Sequence, residues 1–252
     1  MLNKPVAAAV AAVALLSAAV APARAEPVKT VVIVHGAFAD GSGWQRVADI
    51  LGKGGYTVTV VQEPLTSLAD DVAATKRVLD LQQGPTLLVG HSYGGVVITE
   101  AGNAPNVVGL VYIAAFIPDQ GESAVGLLSQ APAANNDIRA TKDDFLYIDP
   151  AAFPADFAAD LPPAEANFMA HSQAMLAKAA AGAPATTAAW HQKKSWALIA
   201  SRDRNINPDL ERKMAKRAGS ETIEVPASHA VYVSKPEDVA RLIERAAKAS
   251  AQ

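Results

Sequence analysis

Residues 87–97 read LLVGHSYGGVV. An apolar run ends at Gly90, a hydroxyl follows at Ser92, and Gly94 and Gly95 open the next apolar segment. Residues 90–94 match G-x-S-x-G, a pattern that carries weight only between a strand and a helix. Both neighbours meet that condition. PTLLVG (85–90) has the length and apolar continuity of a buried strand, and YGGVVITEAGN (93–103) reads as a helix leaving the serine. A sharp turn at Ser92 brings the backbone on its two sides together. Positions 90 and 94 then have no room for a side chain, and Gly90 and Gly94 supply the clearance. The turn lifts the Ser92 hydroxyl above the strand end and directs the positive end of the helix at it.

The rest of the chain repeats this alternation. VKTVVIVHG (28–36), YTVTVVQ (56–62), NVVGLVYIAAF (106–116), KSWALIASRD (194–203) and SETIEVPAS (220–228) read as strands. Segments 42–55, 67–84, 207–219 and 235–250 read as helices, with Ser67 as a cap, acidic residues in first turns and glycine stops. Strands without polar alternation are covered on both faces, as in a parallel sheet packed between helices. The fold class is therefore α/β with a mostly parallel central sheet. From 118 to about 190 the alternation stops. That stretch is rich in Ala, Pro, Asp and Asn, yet Phe145, Leu146, Tyr147, Phe153, Phe157, Phe168 and Met169 give it something to bury. It reads as a mostly helical insertion without strands, between core segments of about 28–117 and 191–250.

Length and composition set outer limits. The chain has 252 residues, a net charge of −3 and no cysteine. This is enough for one domain with an insertion, and the absence of a basic stripe argues against nucleic acid. Residues 1–25, MLNKPVAAAVAAVALLSAAVAPARA, differ in kind. Lys4 precedes an Ala/Val/Leu run, and Ala23-Arg24-Ala25 has the form of a cleavage site, so the segment reads as a Sec-type signal peptide. The run is shorter than the ~20 residues that span a bilayer, so no stable membrane anchor is expected. The mature domain would be 26–252, periplasmic or secreted. Lack of cysteine suits an oxidising compartment, and it removes disulfides and thiolate metal ligands. No metal site is expected.

A serine hydroxyl needs a base, and the base needs a carboxylate to orient it. A nucleophile elbow of this kind carries its triad in the order serine, acid, base. Of the five histidines, His229 in VPASHAVYV follows the last strand, where it can overhang the sheet's carboxyl edge. His91 adjoins the serine but points away and shapes the turn. Asp203 in ALIASRDRNINP follows a strand and is the acid, with Asp119 in AAFIPDQG as runner-up. Backbone N–H groups for an oxyanion should come from Tyr93 and from the loop HGAFADGSGW (35–44), where Ala37 is first choice and Phe38 the alternate. Phe38, Trp44, Phe116, Phe153, Phe168 and Trp190 are candidate pocket residues, a lining that would favour an apolar or aryl group.

With these four ordered motifs in hand, the chain resembles the α/β-hydrolase superfamily. VVIVHGAFADGSGW, LLVGHSYGG, SRDRNINP and ASHAVYVSKPEDVARLI look like its small bacterial esterase-like branch, related to plant methylesterases and hydroxynitrile lyases. The resemblance spans roughly residues 28–248. It implies a Ser92–His229–Asp203 triad, an oxyanion hole at Ala37 and Tyr93, a helical cap after the sixth strand and no cofactor. Lyases of that branch carry lysine directly after the catalytic histidine, where this chain has Ala230. The expectation is hydrolysis of small carboxylic esters through an acyl-enzyme. Lyase-like or perhydrolase use of the same triad, and non-catalytic binding of a small molecule, are the alternatives. Oligomeric state and natural substrate are not legible.

Overall fold

A computed structural model describes residues 1–2, 28–134 and 137–251. Apart from its first two residues, the expected leader at 1–25 lies outside the described residues, so its cleavage is an expectation only.

The chain runs β1 (Thr30–Val34), α1 (Gln45–Lys53), β2 (Thr57–Val61), α2 (Leu68–Leu79), β3 (Thr86–Ser92), α3 (Gly94–Ala101) and β4 (Val107–Ala115). The insertion follows, with α4 (Ala124–Gln130), β5 (Ile138–Ala140), β6 (Phe145–Ile148), α5 (Phe153–Asp156), α6 (Pro163–His171), β7 (Leu176–Ala177) and α7 (Lys178–Gly182). The core resumes with β8 (Ser195–Ala200), α8 (Pro208–Arg217), β9 (Glu221–Val225), α9 (Val231–Ser234) and α10 (Pro236–Ser250).

Six strands form one sheet in the order β2-β1-β3-β4-β8-β9, and every pairing in it is parallel. The central strands explain the unbroken apolar runs of the sequence. All seven residues of β3 and all six of β8 are buried, whereas the edge strand β2 is mostly half-buried and the edge strand β9 mostly exposed. Each fully buried Val, Ile or Leu there stabilises the fold by about 1.5–3 kcal/mol relative to exposure. The helices begin as read: Ser67 Oγ accepts from the Asp70 N–H, with Asp70 and Asp71 in the first turn of α2. That arrangement satisfies an orphan donor and complements the helix dipole.

The insertion departs from expectation in two ways. It contains strands: β5, β6 and β7 form a separate antiparallel sheet. These strands have three, four and two residues, too short for a periodic signal, and the β6–β7 pair joins residues about thirty positions apart. Only FLYI at 145–148 carried a strand's composition. The insertion also follows the fourth strand among the described residues, where the resemblance implied the sixth.

Candidate active site

The strand order places β3 between β1 and β4, and the loops at their carboxyl ends open onto one crevice, the usual ligand position in a parallel sheet. Ser92 is the last residue of β3, and only Tyr93 separates it from α3. Ser92 has φ +52°, a left-handed conformation that costs a non-glycine residue energy and persists where surroundings impose it. The surroundings are the glycines. A Cβ on Gly90 would stand 2.6 Å from the Gly94 carbonyl oxygen, and one on Gly94 would stand 2.6 Å from the carbonyl oxygens of Val34 and His35. The clearance inferred at positions 90 and 94 is thus a steric requirement of the turn.

The three residues expected to act together meet. His229 Nε2 lies 2.9 Å from Ser92 Oγ, and His229 Nδ1 lies 2.5 Å from Asp203 Oδ2. Asp203 Oδ1 accepts backbone N–H groups from Asn205 (2.7 Å) and Ile206 (3.0 Å). All three side chains are buried. Asp203 sits in the turn between β8 and α8, and His229 in the loop between β9 and α9, so each comes from a different strand end. The runner-up acid is elsewhere: Asp119 pairs with His191 at 2.9 Å near the surface.

His91 has a more defined place than the sequence suggested. Its Nε2–H donates to the His229 carbonyl at 3.0 Å, and its ring lies 4.7 Å from that of His229. Burial, and then the neighbouring His229, holds its pKa well below the usual histidine range, so it stays a neutral donor that pins the backbone of His229. His35 is likewise buried, and burial lowers its pKa. Its ring bridges the Gly36 carbonyl and the Glu63 N–H.

The backbone N–H groups of Ala37 and Tyr93 both border the cavity over Ser92, and neither has an acceptor among the described residues. The alternate donor is corrected: the Phe38 N–H is committed to the Ala174 carbonyl at 2.8 Å. Phe38, at φ +65°, instead turns its ring toward the cavity. The Tyr93 ring reaches away from the cavity to donate its hydroxyl to Asp71 Oδ2 at 2.8 Å, and Asp71 Oδ1 accepts the Leu65 N–H at 2.7 Å. Burial, then Asp71, pushes the Tyr93 phenol far above its ordinary range, so this hydroxyl is a permanent donor that fixes the residue after Ser92. Nothing in the local motif signalled Asp71; only its place opposite Tyr93 in the folded chain does.

The cavity over Ser92 has a volume of about 220 Å³. Phe38 and Phe116 line it as expected. Trp44, Phe153, Phe168 and Trp190 do not. Trp44 is fully buried and stacks on Tyr232 at 4.7 Å, behind the site. Phe153 stacks on Phe157, whose ring edge packs on His229. Trp190 donates its Nε1–H to the Pro118 carbonyl at 2.8 Å. Phe168 is 71% exposed on α6, outside the cavity. In their place the insertion contributes aliphatic residues, among them Leu128, Ile138, Leu146 and Leu176, and the acid turn contributes Asn205 and Ile206. Aromatic residues were favoured because they are large. Packing instead places Trp44, Phe153 and Trp190 in the core and leaves Phe168 on the surface, and small and aliphatic residues from the helices and short strands of the insertion complete the lining.

The insertion is tied to the loops that carry the site. The Ala230 N–H donates to the Phe157 carbonyl at 2.9 Å, the Ser228 hydroxyl donates to Asp160, and Asn205 Nδ2 donates to the Asp156 carbonyl at 2.8 Å. On the oxyanion side, Phe38 N–H reaches Ala174 and Ala177 N–H reaches the Leu65 carbonyl, both at 2.8 Å. Among the described residues no group of three or more His, Cys, Asp or Glu side chains could hold a metal ion, and no helix is long and apolar enough to cross a membrane.

The chain is 34% identical over 114 residues to a carbendazim-hydrolysing esterase of Nocardioides sp. strain SG-4G, a match that spans 40% of this chain and 47% of that protein. It is 26% identical over 244 residues to an alpha/beta hydrolase of Aspergillus novofumigatus, covering 86% of this chain and 96% of the fungal protein. Among solved structures, a pyrethroid hydrolase from Sphingobium faniae superposes with a TM-score of 0.74 at 22% identity, covering 88% of this chain and 98% of the other. A methylesterase from Arabidopsis gives 0.75 at 15% identity, covering 87% and 98%. At these identities the structures share the fold. Residues 31–242 match the Alpha/beta hydrolase family, and the chain belongs to it.

Proposed function

We propose that this protein hydrolyses small carboxylic esters with an apolar acyl or aryl part, through a covalent acyl-enzyme. The observation that carries the reading is the Ser92–His229–Asp203 relay, at 2.9 and 2.5 Å, under an apolar cavity bordered by two uncommitted backbone N–H groups. His229 Nε2 takes the Ser92 proton as Oγ attacks the acyl carbon. The developing oxyanion is met by the Ala37 and Tyr93 N–H groups, each worth about 10²–10³-fold in rate in sites of this kind. Asp203 holds the imidazole tautomer and stabilises the imidazolium. His229 then returns the proton to the leaving alcohol, which departs, and activates a water that releases the acid and regenerates Ser92. No step calls for a cofactor.

The relatives support the ester class, since one is named as a carbendazim-hydrolysing esterase. The cavity supports the substrate's character: apart from Ser92, His229, Tyr93 and Asn205, its lining is apolar. The position after His229 is Ala230, whose N–H is bound to the Phe157 carbonyl. It provides no charge for a cyanide leaving group, which weighs against the lyase alternative. Export to the periplasm or the medium belongs to the same reading, on the strength of the residue 1–25 pattern.

A panel of p-nitrophenyl esters of rising acyl length, run on wild type and Ser92→Ala, tests the proposal. The wild type should turn over short to medium acyl esters and be labelled at Ser92 by a fluorophosphonate probe. Ser92→Ala should lose at least about 10⁴-fold in kcat while staying folded. A wild type that is neither labelled nor active on any ester sinks the reading.

A further inference from the structure

The backbone donor at Tyr93 hangs on a chain of contacts that leads out to the insertion. The Tyr93 hydroxyl donates to Asp71 Oδ2 at 2.8 Å, and Asp71 Oδ1 accepts the Leu65 N–H at 2.7 Å. The Leu65 carbonyl in turn accepts the Ala177 N–H at 2.8 Å, from β7 of the insertion. Asp71, Tyr93 and Leu65 are each at most 1% exposed, so water does not stand in for a broken link. The Ala37 side has matching ties. The Glu63 N–H donates to His35 Nε2 at 3.1 Å, two residues before Ala37, and the Phe38 N–H, one residue after it, donates to the Ala174 carbonyl at 2.8 Å. Both of these insertion contacts end on residues in the left-handed region, Phe38 at φ +65° and Leu65 at φ +56°. Such strain persists where the surroundings over-determine it, and it gathers at functional sites.

We propose that Asp71 is a positioning residue for the oxyanion donor at Tyr93, and that Leu65 keeps this donor in register with the insertion. The proposal deepens the esterase reading and rests on it for the oxyanion. Tyr93 stands at the N-terminal cap of α3, where its N–H has no acceptor among the described residues. A helix leaves the direction of such a group open. The Tyr93 ring closes that freedom, because its far end is held by Asp71 from the first turn of α2. Asp71 is held in turn by Leu65, and Leu65 by the insertion. The 174–177 stretch thus reaches both donors at one remove, through Phe38 beside Ala37 and through Leu65 and Asp71 behind Tyr93. Leu176, inside that stretch, lines the cavity. The segment that meets the substrate therefore also sets the spacing of the two donors.

The test compares wild type with Tyr93→Phe, Asp71→Asn, the double variant and Ala177→Pro, by p-nitrophenyl butyrate kinetics and by the NMR signal of the residue 93 amide without substrate. Tyr93→Phe removes one oxygen and keeps the ring. Ala177 has φ −58°, which proline adopts, so Ala177→Pro removes the N–H that reaches Leu65 without a change of φ. In both single variants at 71 and 93, kcat should fall about tenfold with KM within about twofold, because the oxyanion exists only beyond the ground state. The inhibition constant of a trifluoromethyl ketone, which places an oxyanion in the site, should rise by about the same factor. The double variant should be within about twofold of the weaker single, since both cut one link. Ala177→Pro should lower kcat about threefold and shift the residue 93 amide signal. Losses at 71 and 93 that multiply, or variants that lose only stability in urea, mean that Asp71 does not act through the donor, and overturn the proposal. An unmoved residue 93 signal in a folded Ala177→Pro overturns the link to the insertion. If Ala177→Pro does not fold, Leu65→Gly, which frees the backbone at the same link, is read in the same way. The amide shifts need no turnover, so failure to hydrolyse any ester would remove the esterase reading and leave the positioning to be decided by them.

Discussion

The parallel sheet and the insertion solve the same problem, placing groups around Ser92, by different means. The sheet does it sterically. Strands β3, β4 and β8 are buried along almost their whole length, and the turn at Ser92 is forced by backbone atoms that approach within a Cβ's reach of Gly90 and Gly94. The insertion does it with single hydrogen bonds, from the Asp156, Phe157 and Ala174 carbonyls and the Asp160 carboxylate to the loops that hold Asn205, His229 and Phe38. Its own strands are short and partly exposed. The turn at Ser92 is thus set by rigid packing, and the shape of the cavity over it by a thinner layer of contacts.

If that contrast holds, substitutions in the two regions should separate by size and by kind of effect. The largest belongs to the sheet. Gly94→Ala forces a methyl group against two backbone carbonyls and should cost about 2–4 kcal/mol in urea unfolding, with activity lost together with stability. A variant as stable and active as wild type would show that the turn is not sterically set. A smaller effect is expected in the insertion. Leu146→Ala enlarges the cavity from a half-buried strand position. It should shift the preferred acyl length upward, raising kcat/KM for the longer p-nitrophenyl esters relative to the shorter by about tenfold, at a stability cost of about 1 kcal/mol. An unchanged chain-length profile would mean that the insertion does not set specificity. The smallest belongs to Phe168, exposed on α6 and outside the cavity. Phe168→Ala should leave kcat/KM unchanged and stability within about 0.5 kcal/mol. A large loss of kcat/KM there would restore it to the substrate path.

The same contrast explains what could be read from the chain. In the sheet, each element announces itself locally: β-branched runs, glycine stops and helix caps lie within a few residues of one another. Ser92, Asp203 and His229 were legible as a set because each follows a strand, in the order that the proposed mechanism calls for. In the insertion, β6 pairs with β7 across about thirty residues, so the pairing has no local signature even though FLYI has a strand's composition. The aromatic residues were legible as large and apolar, but whether a large apolar side chain faces a cavity or the core depends on its neighbours in space. Trp44 and Phe153 went to the core, and Phe116 to the cavity.

The amino-acid sequence by itself determined the alternating α/β order, the elbow at residues 90–94 and the strand-end positions of Ser92, Asp203 and His229, because each is set by short-range pattern and chain order. Tertiary structure alone decided the supports: His91 under the His229 carbonyl, Asp71 on the Tyr93 hydroxyl and the aliphatic lining from the insertion. These pairs join residues far apart in the chain, or depend on which face of a helix is turned inward. A buried polar group declares its partner only once the fold has removed the water that would otherwise satisfy it.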